Sequence, residues 1–342
     1  TEEDLLWALA LINSRSFVAA TQDDYKPFSL KTSEDGQPDE FVRLLCPLAD
    51  LFNHEAEPPT LALATEVNYW GLSNAKGKED FFLLSPLRYD EPGGEIKLPY
   101  GAETNLELLV AYGFLPKSVD PGSVHANPAD YIELFGDIEH LVESVAGIAG
   151  YDDDQIERRI ELLSGMEAAG APLAARPGSL GASAFLLGCL EVALADDRML
   201  EWATEEVDIE CGHAVPRLVA PKNASVEDQD RILELRGAAS RISMEVTDQV
   251  LCDMPTTVRE DVEQMEEALA EETPRNRKMA MAIQYRMGVK KLLIDFYTVA
   301  ALEWERLGGQ TTEPPKFMVM NGGDTLDDII PEPEPEPKSS AS

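Results

Sequence analysis

The chain has 342 residues, 44% of them hydrophobic, enough for two domains with sizeable cores. Its 28 Lys and Arg stand against 64 Asp and Glu, a formal net charge of -36 at pH 7. Such a surface repels phosphate backbones and argues against direct nucleic-acid binding, whereas it serves solubility or suits a basic protein partner.

Residues 5–13 read as a helix, because Leu5, Leu6, Leu9 and Ile12 recur at helical spacing. Residues 21–40 are polar, contain Gly36 and Pro38, and read as a loop. An apolar run from Leu44 to Phe52 ends in Asn53-His54. Residues 61–73 and 80–86 are strand candidates separated by a turn at 74–78, and Ile96-Lys97-Leu98 is a short third one. Thr104 with Glu107 three residues on has capping-box spacing.

Past residue 120 the pattern turns helical, with helices predicted over roughly 129–149, 152–168, 179–204, 225–252, 257–271 and 274–307. Thr257 with Glu260 forms a second capping box, and Thr273-Pro274 is an N-cap followed by proline at the first helical position. Leu251, Met254, Met279, Met281 and Met287 read as core. Residues 310–342 hold Gly322-Gly323 and a Pro-Glu repeat, and are expected to be disordered.

The most apolar run, residues 185–194, is too short to span a bilayer and carries Glu191, so no membrane association is expected. The four cysteines, Cys46, Cys189, Cys211 and Cys252, form no CxxC pair. That spacing fits a reduced compartment and supplies no metal site. The acidic Thr1-Glu2-Glu3-Asp4 is unlike a signal or transit peptide.

Five ordered stretches together resemble the Rubisco large-subunit methyltransferase branch of SET-domain protein-lysine methyltransferases. They are Trp7-Ala8 through Ser14-Arg15-Ser16-Phe17, Leu48-Ala49-Asp50-Leu51-Phe52-Asn53-His54, and Asn105-Leu106-Glu107-Leu108 with Tyr112-Gly113-Phe114. Downstream come Pro255-Thr256-Thr257-Val258-Arg259-Glu260-Asp261 and Tyr285-Arg286-Met287-Gly288-Val289-Lys290-Lys291. The resemblance implies an α+β chain: a partial β-rich SET segment over 1–120, an all-α substrate-binding domain over 125–307, and the tail over 310–342. It also implies that the N-terminal half of the SET domain, with its glycine-containing loop, is missing before Thr1. On that reading residues 1–342 alone are expected to bind cofactor weakly or not at all.

The implied activity is S-adenosyl-L-methionine-dependent N-methylation of a lysine on a non-histone protein. The implied partner is that lysine-bearing protein, with no nucleic acid, no membrane and a monomeric enzyme. The chloroplast stroma or the cytoplasm would suit such a relative. By resemblance Tyr112 is the catalytic and substrate-channel tyrosine, and Asn53, His54 and Tyr100 contact the cofactor. Arg15 serves the cofactor carboxylate or the substrate, or only a surface ion pair. Asp50 binds substrate or caps a local turn. Ala19 stands where relatives can carry a second arginine. Two other readings stay open: a non-catalytic protein-binding module with a relic SET half, and a protein-histidine methyltransferase. Tyr112 argues for lysine over histidine.

The chemistry needs no metal and no strong base. It needs a neutral amine, and a lysine of reference pKa near 10.4 costs roughly 4–5 kcal/mol to neutralise at pH 7. An apolar aromatic passage lowers that cost, and orientation supplies much of the rate.

Overall fold

The computed structural model describes residues 5, 7–9, 17–20, 41–44, 51–54, 70–73, 80–83, 97–98, 100, 103–116, 118–119, 126–166, 171–178, 180–207, 214–271, 273–310 and 314–320. The chain falls into two compact units, Thr1–Pro116 with Asn127–Ala129, and Lys117–Ala126 with Asp130–Ser342.

In the first unit, residues 5 and 7–9 are helical, as their apolar spacing predicts. Among the described residues, three two-stranded pairs follow. β1 (Phe17–Ala20) runs antiparallel to β2 (Phe41–Leu44), and β4 (Trp70–Ser73) antiparallel to β5 (Asp80–Leu83). β3 is only Asn53–His54, and it lies parallel to β6 (Lys97–Leu98). The expected turn at 74–78 lies outside the described residues.

Helix α1 (Asn105–Glu107) starts at the predicted box. Thr104 Oγ1 accepts from Glu107 N–H at 3.2 Å, while Glu107 Oε2 accepts from Thr104 N–H at 2.7 Å. The helix runs straight into a π turn, Leu108–Tyr112, which ends at Gly113 with φ 77°. Gly113 tolerates that left-handed backbone without a Cβ penalty, and its N–H closes onto the Leu108 and Leu109 carbonyls.

The second unit is mostly helical: α2 (Ile138–Ala149), α3 (Asp153–Ser164), α4 (Ala184–Leu194), α5 (Val226–Asp253), α6 (Val258–Leu269), α7 (Pro274–Arg306) and α8 (Lys316–Met320). Side-chain caps set the starts of five of them, from Asp137, Asp152, Ser225, Thr257 and Thr273. The expectation of an all-α region is corrected by four strands among the described residues. β7 (Ile132–Phe135) pairs antiparallel with β8 (Leu173–Ala175), and β9 (Ala203–Val207) with β10 (Ala214–Leu218). The predicted helix over 129–149 therefore begins with a strand. The one over 179–204 shortens to α4, followed by a 3-10 turn at Met199–Trp202 and then β9. Strands win there because β8 and β10 bury Leu173, Ala174, Ala175, Val215 and Leu218 almost completely.

Helix α4 is the centre of this unit. Leu186, Cys189, Leu190, Val192 and Ala193 are all fully buried, so the helix is enclosed nearly all round. β10 crosses it so closely that a Cβ on Gly188 would sit 2.1 Å from the Pro216 carbonyl oxygen. Arg159 of α3 is fully buried and closes the far end of α4. Its Nε donates to the Ala193 carbonyl at 3.0 Å, its Nη2 to the Ala195 carbonyl at 2.5 Å, and its guanidinium stacks 3.8 Å from the Tyr151 ring centre. Carbonyls left over at a helix end are thereby satisfied by a cation that the helix dipole also favours.

A buried ion cluster joins α6 to α7. Lys290 Nζ lies 2.6 Å from Asp261 Oδ2 and also donates to the Thr257 carbonyl at 3.0 Å and to the Thr256 carbonyl. Arg286 Nε donates to the other Asp261 oxygen at 2.7 Å. Burial pulls the Lys290 ammonium below its ordinary value, and the Asp261 carboxylate pulls it back up.

Two further expectations change. The segment taken as tail contains α8, where Phe317 is buried at 6% exposure. Phe317 packs edge-on against Tyr297, with ring centres 5.4 Å apart, and its backbone N–H donates to Asp248. Apolar contact on one short face outweighs the local proline content. Among the residues read as core, Leu251 is buried, Met254, Met281 and Met287 are half-buried, and Met279 is 49% exposed on the first turns of α7.

Candidate functional site

The site lies in the first unit and is built from three stretches far apart in sequence. The β3–β6 register sets His54 opposite Leu98, two residues before Tyr100. The Tyr100 backbone N–H donates to His54 Nδ1 at 3.2 Å, and the Tyr100 hydroxyl donates to the Phe52 carbonyl at 2.8 Å. These two bonds clamp residue 100 to the 52–54 stretch from both ends. Because Nδ1 accepts, the ring proton of His54 is assigned to Nε2 and the imidazole is neutral.

The π turn brings the third stretch. Tyr112 stacks tilted on Tyr100 with ring centres 4.7 Å apart, and Phe114 lies 6.2 Å from both tyrosines. His54 completes the group at 5.2 Å from Tyr100 and 5.7 Å from Phe114. Four rings thus form one continuous aromatic wall. The π turn adds a residue to the last helical turn, and such insertions recur at functional sites because they re-aim one side chain.

At the start of α1 the backbone is fixed by buried polar side chains. Asn127 Nδ2 donates to the Glu103 carbonyl at 2.7 Å and to Asn105 Oδ1 at 3.2 Å, and Asn127 Oδ1 accepts from Ala129 N–H at 3.1 Å. Burial, and after it the charge of Glu107, push the Glu103 carboxyl up from its ordinary value.

Of the residues expected at the site, His54, Tyr100 and Tyr112 come together. Asn53 lies on β3 beside His54 and is exposed. Arg15 and Asp50 lie outside the described residues. Sequence reasoning did not single out Phe114 as a wall of the site, although it stands in the Tyr-Gly-Phe run. It also passed over Asn127, whose Asn127-Pro128-Ala129 turn was the available signal. Chemically the wall offers aromatic faces for a cation, a neutral imidazole, and a half-buried phenol at Tyr112.

No protein-family profile matches the chain, and no curated protein matches it. Among solved structures it is similar to the SET domain of LSMT bound to methyllysine and AdoHcy, at 17% identity and a TM-score of 0.47. A second, the SET domain of LSMT bound to lysine and AdoHcy, aligns at 18% identity and a TM-score of 0.46. A third, Rubisco LSMT bound to AdoMet, aligns at 17% identity and a TM-score of 0.43. The first alignment covers 94% of this chain but 60% of that one, so the chain spans about three fifths of its length.

Proposed function

We propose that the chain serves as an S-adenosyl-L-methionine-dependent protein-lysine N-methyltransferase acting on a non-histone protein. The observation that carries this reading is the convergence of Asn53-His54, Tyr100 and Tyr112-Gly113-Phe114 on one aromatic wall. These are the stretches that resemble the Rubisco methyltransferase branch. Their chemistry fits the cofactor: aromatic faces attract a sulfonium, and the exposed Asn53 amide carries both a donor and an acceptor for an adenine edge. Bound there, the cofactor would supply an electrophilic methyl group.

Each residue of the chain then has a distinct task. Tyr100 gives its hydroxyl to the Phe52 carbonyl, so it positions and packs but does not act on the amine. His54 uses Nδ1 to hold Tyr100 and keeps the strand end in place. By its place in the Tyr-Gly-Phe stretch, Tyr112 orients the lysine nitrogen through its hydroxyl. The ring faces of Tyr112, Tyr100 and Phe114 line an apolar passage that disfavours a hydrated ammonium. Arg15 and Asp50 are proposed for the cofactor carboxylate and the substrate, and residues 125–307 for holding the substrate protein.

The test is transfer of a deuterated methyl group from S-adenosyl-L-methionine to lysine in cell-extract proteins, read by mass spectrometry. Wild-type protein is expected to add the label and Tyr112→Phe to add little. Label on histidine, or no label, would overturn the proposal.

A further inference from the structure

Asn127–Ala129 belong to the first unit, although Lys117–Ala126 before them and Asp130 after them belong to the second. Asn127 is 4% exposed, and among the described residues of the first unit the buried polar side chains are Thr104, Asn105 and Asn127. All three gather at the start of α1, the element that leads to Tyr112.

The residue type follows from what it meets. Glu103 offers a carbonyl oxygen and Asn105 a side-chain oxygen, both acceptors, and Asn127 Nδ2 alone reaches the two at 2.7 and 3.2 Å. An amide nitrogen carries two donors, whereas an ionised carboxylate carries none and a hydroxyl one. Asn127 Oδ1 accepts from Ala129 N–H at 3.1 Å across Pro128, whose fixed φ stiffens that turn. Both polar atoms of the amide are used, as burial requires.

Hydrogen bonds carry this hold up to the wall. Thr104 stands between the two residues that Asn127 grips, and its carbonyl accepts from Leu108 N–H at 2.9 Å. The Leu108 carbonyl accepts in turn from Gly113 N–H and, at 3.5 Å, from Phe114 N–H, so the bonded chain brackets Tyr112. The 3 residues of α1 and the 5 of the π turn are too few to hold a helix without outside contacts. At about 1.5 Å per residue Tyr112 lies about 10 Å along the axis from Asn105, so a tilt of about 6° at the base displaces it by about 1 Å. A misplacement of about 1 Å in an orienting group is enough to lower a rate about a hundredfold.

We propose that Asn127 is a positioning residue for Tyr112. It acts through the start of α1 and sets the direction of the Tyr112 hydroxyl. The task of that hydroxyl rests on the methyltransferase reading, whereas the aiming of it does not.

The experiment places a fluorinated tyrosine at position 112 of the intact chain and reads its fluorine resonance in wild type, Asn127→Ser and Asn127→Asp. A second sample of each carries the label at position 100. Asn127→Ser keeps one donor and adds no charge. Asn127→Asp keeps the acceptor for Ala129, loses both donors, and adds a carboxyl beside Glu103, whose own carboxyl is already pushed up by burial and by Glu107. The position-112 resonance is expected to shift or split in both variants, more in Asn127→Asp. The position-100 resonance, held through Phe52 and His54, is expected to stay single and folded. In label transfer from deuterated S-adenosyl-L-methionine to extract proteins, kcat should fall about tenfold in Asn127→Ser, with the apparent KM for S-adenosyl-L-methionine within about twofold. An unmoved position-112 resonance, or a raised KM with kcat unchanged, would overturn the proposal. Collapse of the position-100 resonance to its unfolded value in both variants would make Asn127 a folding residue and overturn it equally. Wild type that transfers no label would overturn the methyltransferase reading, and the fluorine resonance would still decide whether Asn127 aims Tyr112.

Discussion

At the scale of single residues, the two tyrosines of the wall carry different predictions. The Tyr100 hydroxyl is tied to the Phe52 carbonyl, so Tyr100→Phe removes a clamp and should weaken cofactor binding. Tyr112→Phe keeps the ring that packs 4.7 Å from Tyr100 and removes only the hydroxyl. It is expected to leave cofactor affinity within about twofold and to lower turnover by about a hundredfold, as loss of one orienting group typically does. Calorimetry and a single-turnover rate separate the two, and an unchanged rate in Tyr112→Phe would make Tyr112 a packing residue. Glu191 supplies a pH test. Burial is the largest influence on its carboxyl and raises its pKa in the folded state, while Arg236 and the Leu218 N–H lower it. A raised folded pKa favours folding below the unfolded value near 4.3, and the benefit is lost as pH rises through the folded one. Wild-type stability relative to Glu191→Gln should therefore fall as pH rises from about 4 toward neutrality, measured by urea unfolding at fixed salt. A difference that grows with pH would contradict the assignment.

At the scale of elements, contact geometry makes two positions decisive. Gly188 lets β10 cross α4, and a Cβ there would overlap the Pro216 carbonyl at 2.1 Å. Gly188→Ala is expected to cost about 1–3 kcal/mol or more, seen as a lower urea midpoint. Asp261 sits between Lys290 and Arg286, so Asp261→Ala strands a buried ammonium and is expected to cost about 3–5 kcal/mol. A loss under 1 kcal/mol would mean that Lys290 finds compensation from the Thr256 and Thr257 carbonyls. The caps at Thr104, Thr257 and Thr273 were legible in the sequence, because a side chain and a backbone N–H three residues on decide them locally. The strands β7 and β8 were not, since Ile132–Phe135 owes its pairing to Leu173–Ala175, far along the chain. Helix α8 was hidden for the same reason: Tyr297 and Asp248, supplied by distant helices, are among the groups that hold Phe317 in the core. At the candidate site, the Asn-His and Tyr-Gly-Phe stretches could be read as motifs. The π turn that aims Tyr112 and the reach of Asn127 to Asn105 could not, because they depend on how separated backbones meet.

At the scale of the molecule, the second unit holds its own core around α4 and closes it with Arg159, Glu191 and the Asp261 cluster. Residues 125–307 are proposed to fold alone, with a cooperative helical melt by circular dichroism as the expected result. If the net charge of -36 steers a basic substrate protein, capture should weaken between 0.1 M and 1 M salt, as the Debye length shrinks from about 10 Å to about 3 Å. The central claim is that the wall of His54, Tyr100, Tyr112 and Phe114 serves lysine methylation. The most direct measurement is mass spectrometry of extract proteins after incubation with deuterated S-adenosyl-L-methionine and the intact protein carrying residues 1–342, wild type beside Tyr112→Phe. The account predicts label on lysine side chains with wild type and its near-complete loss with Tyr112→Phe. Equal labelling by both proteins, or label confined to other residues, would contradict it.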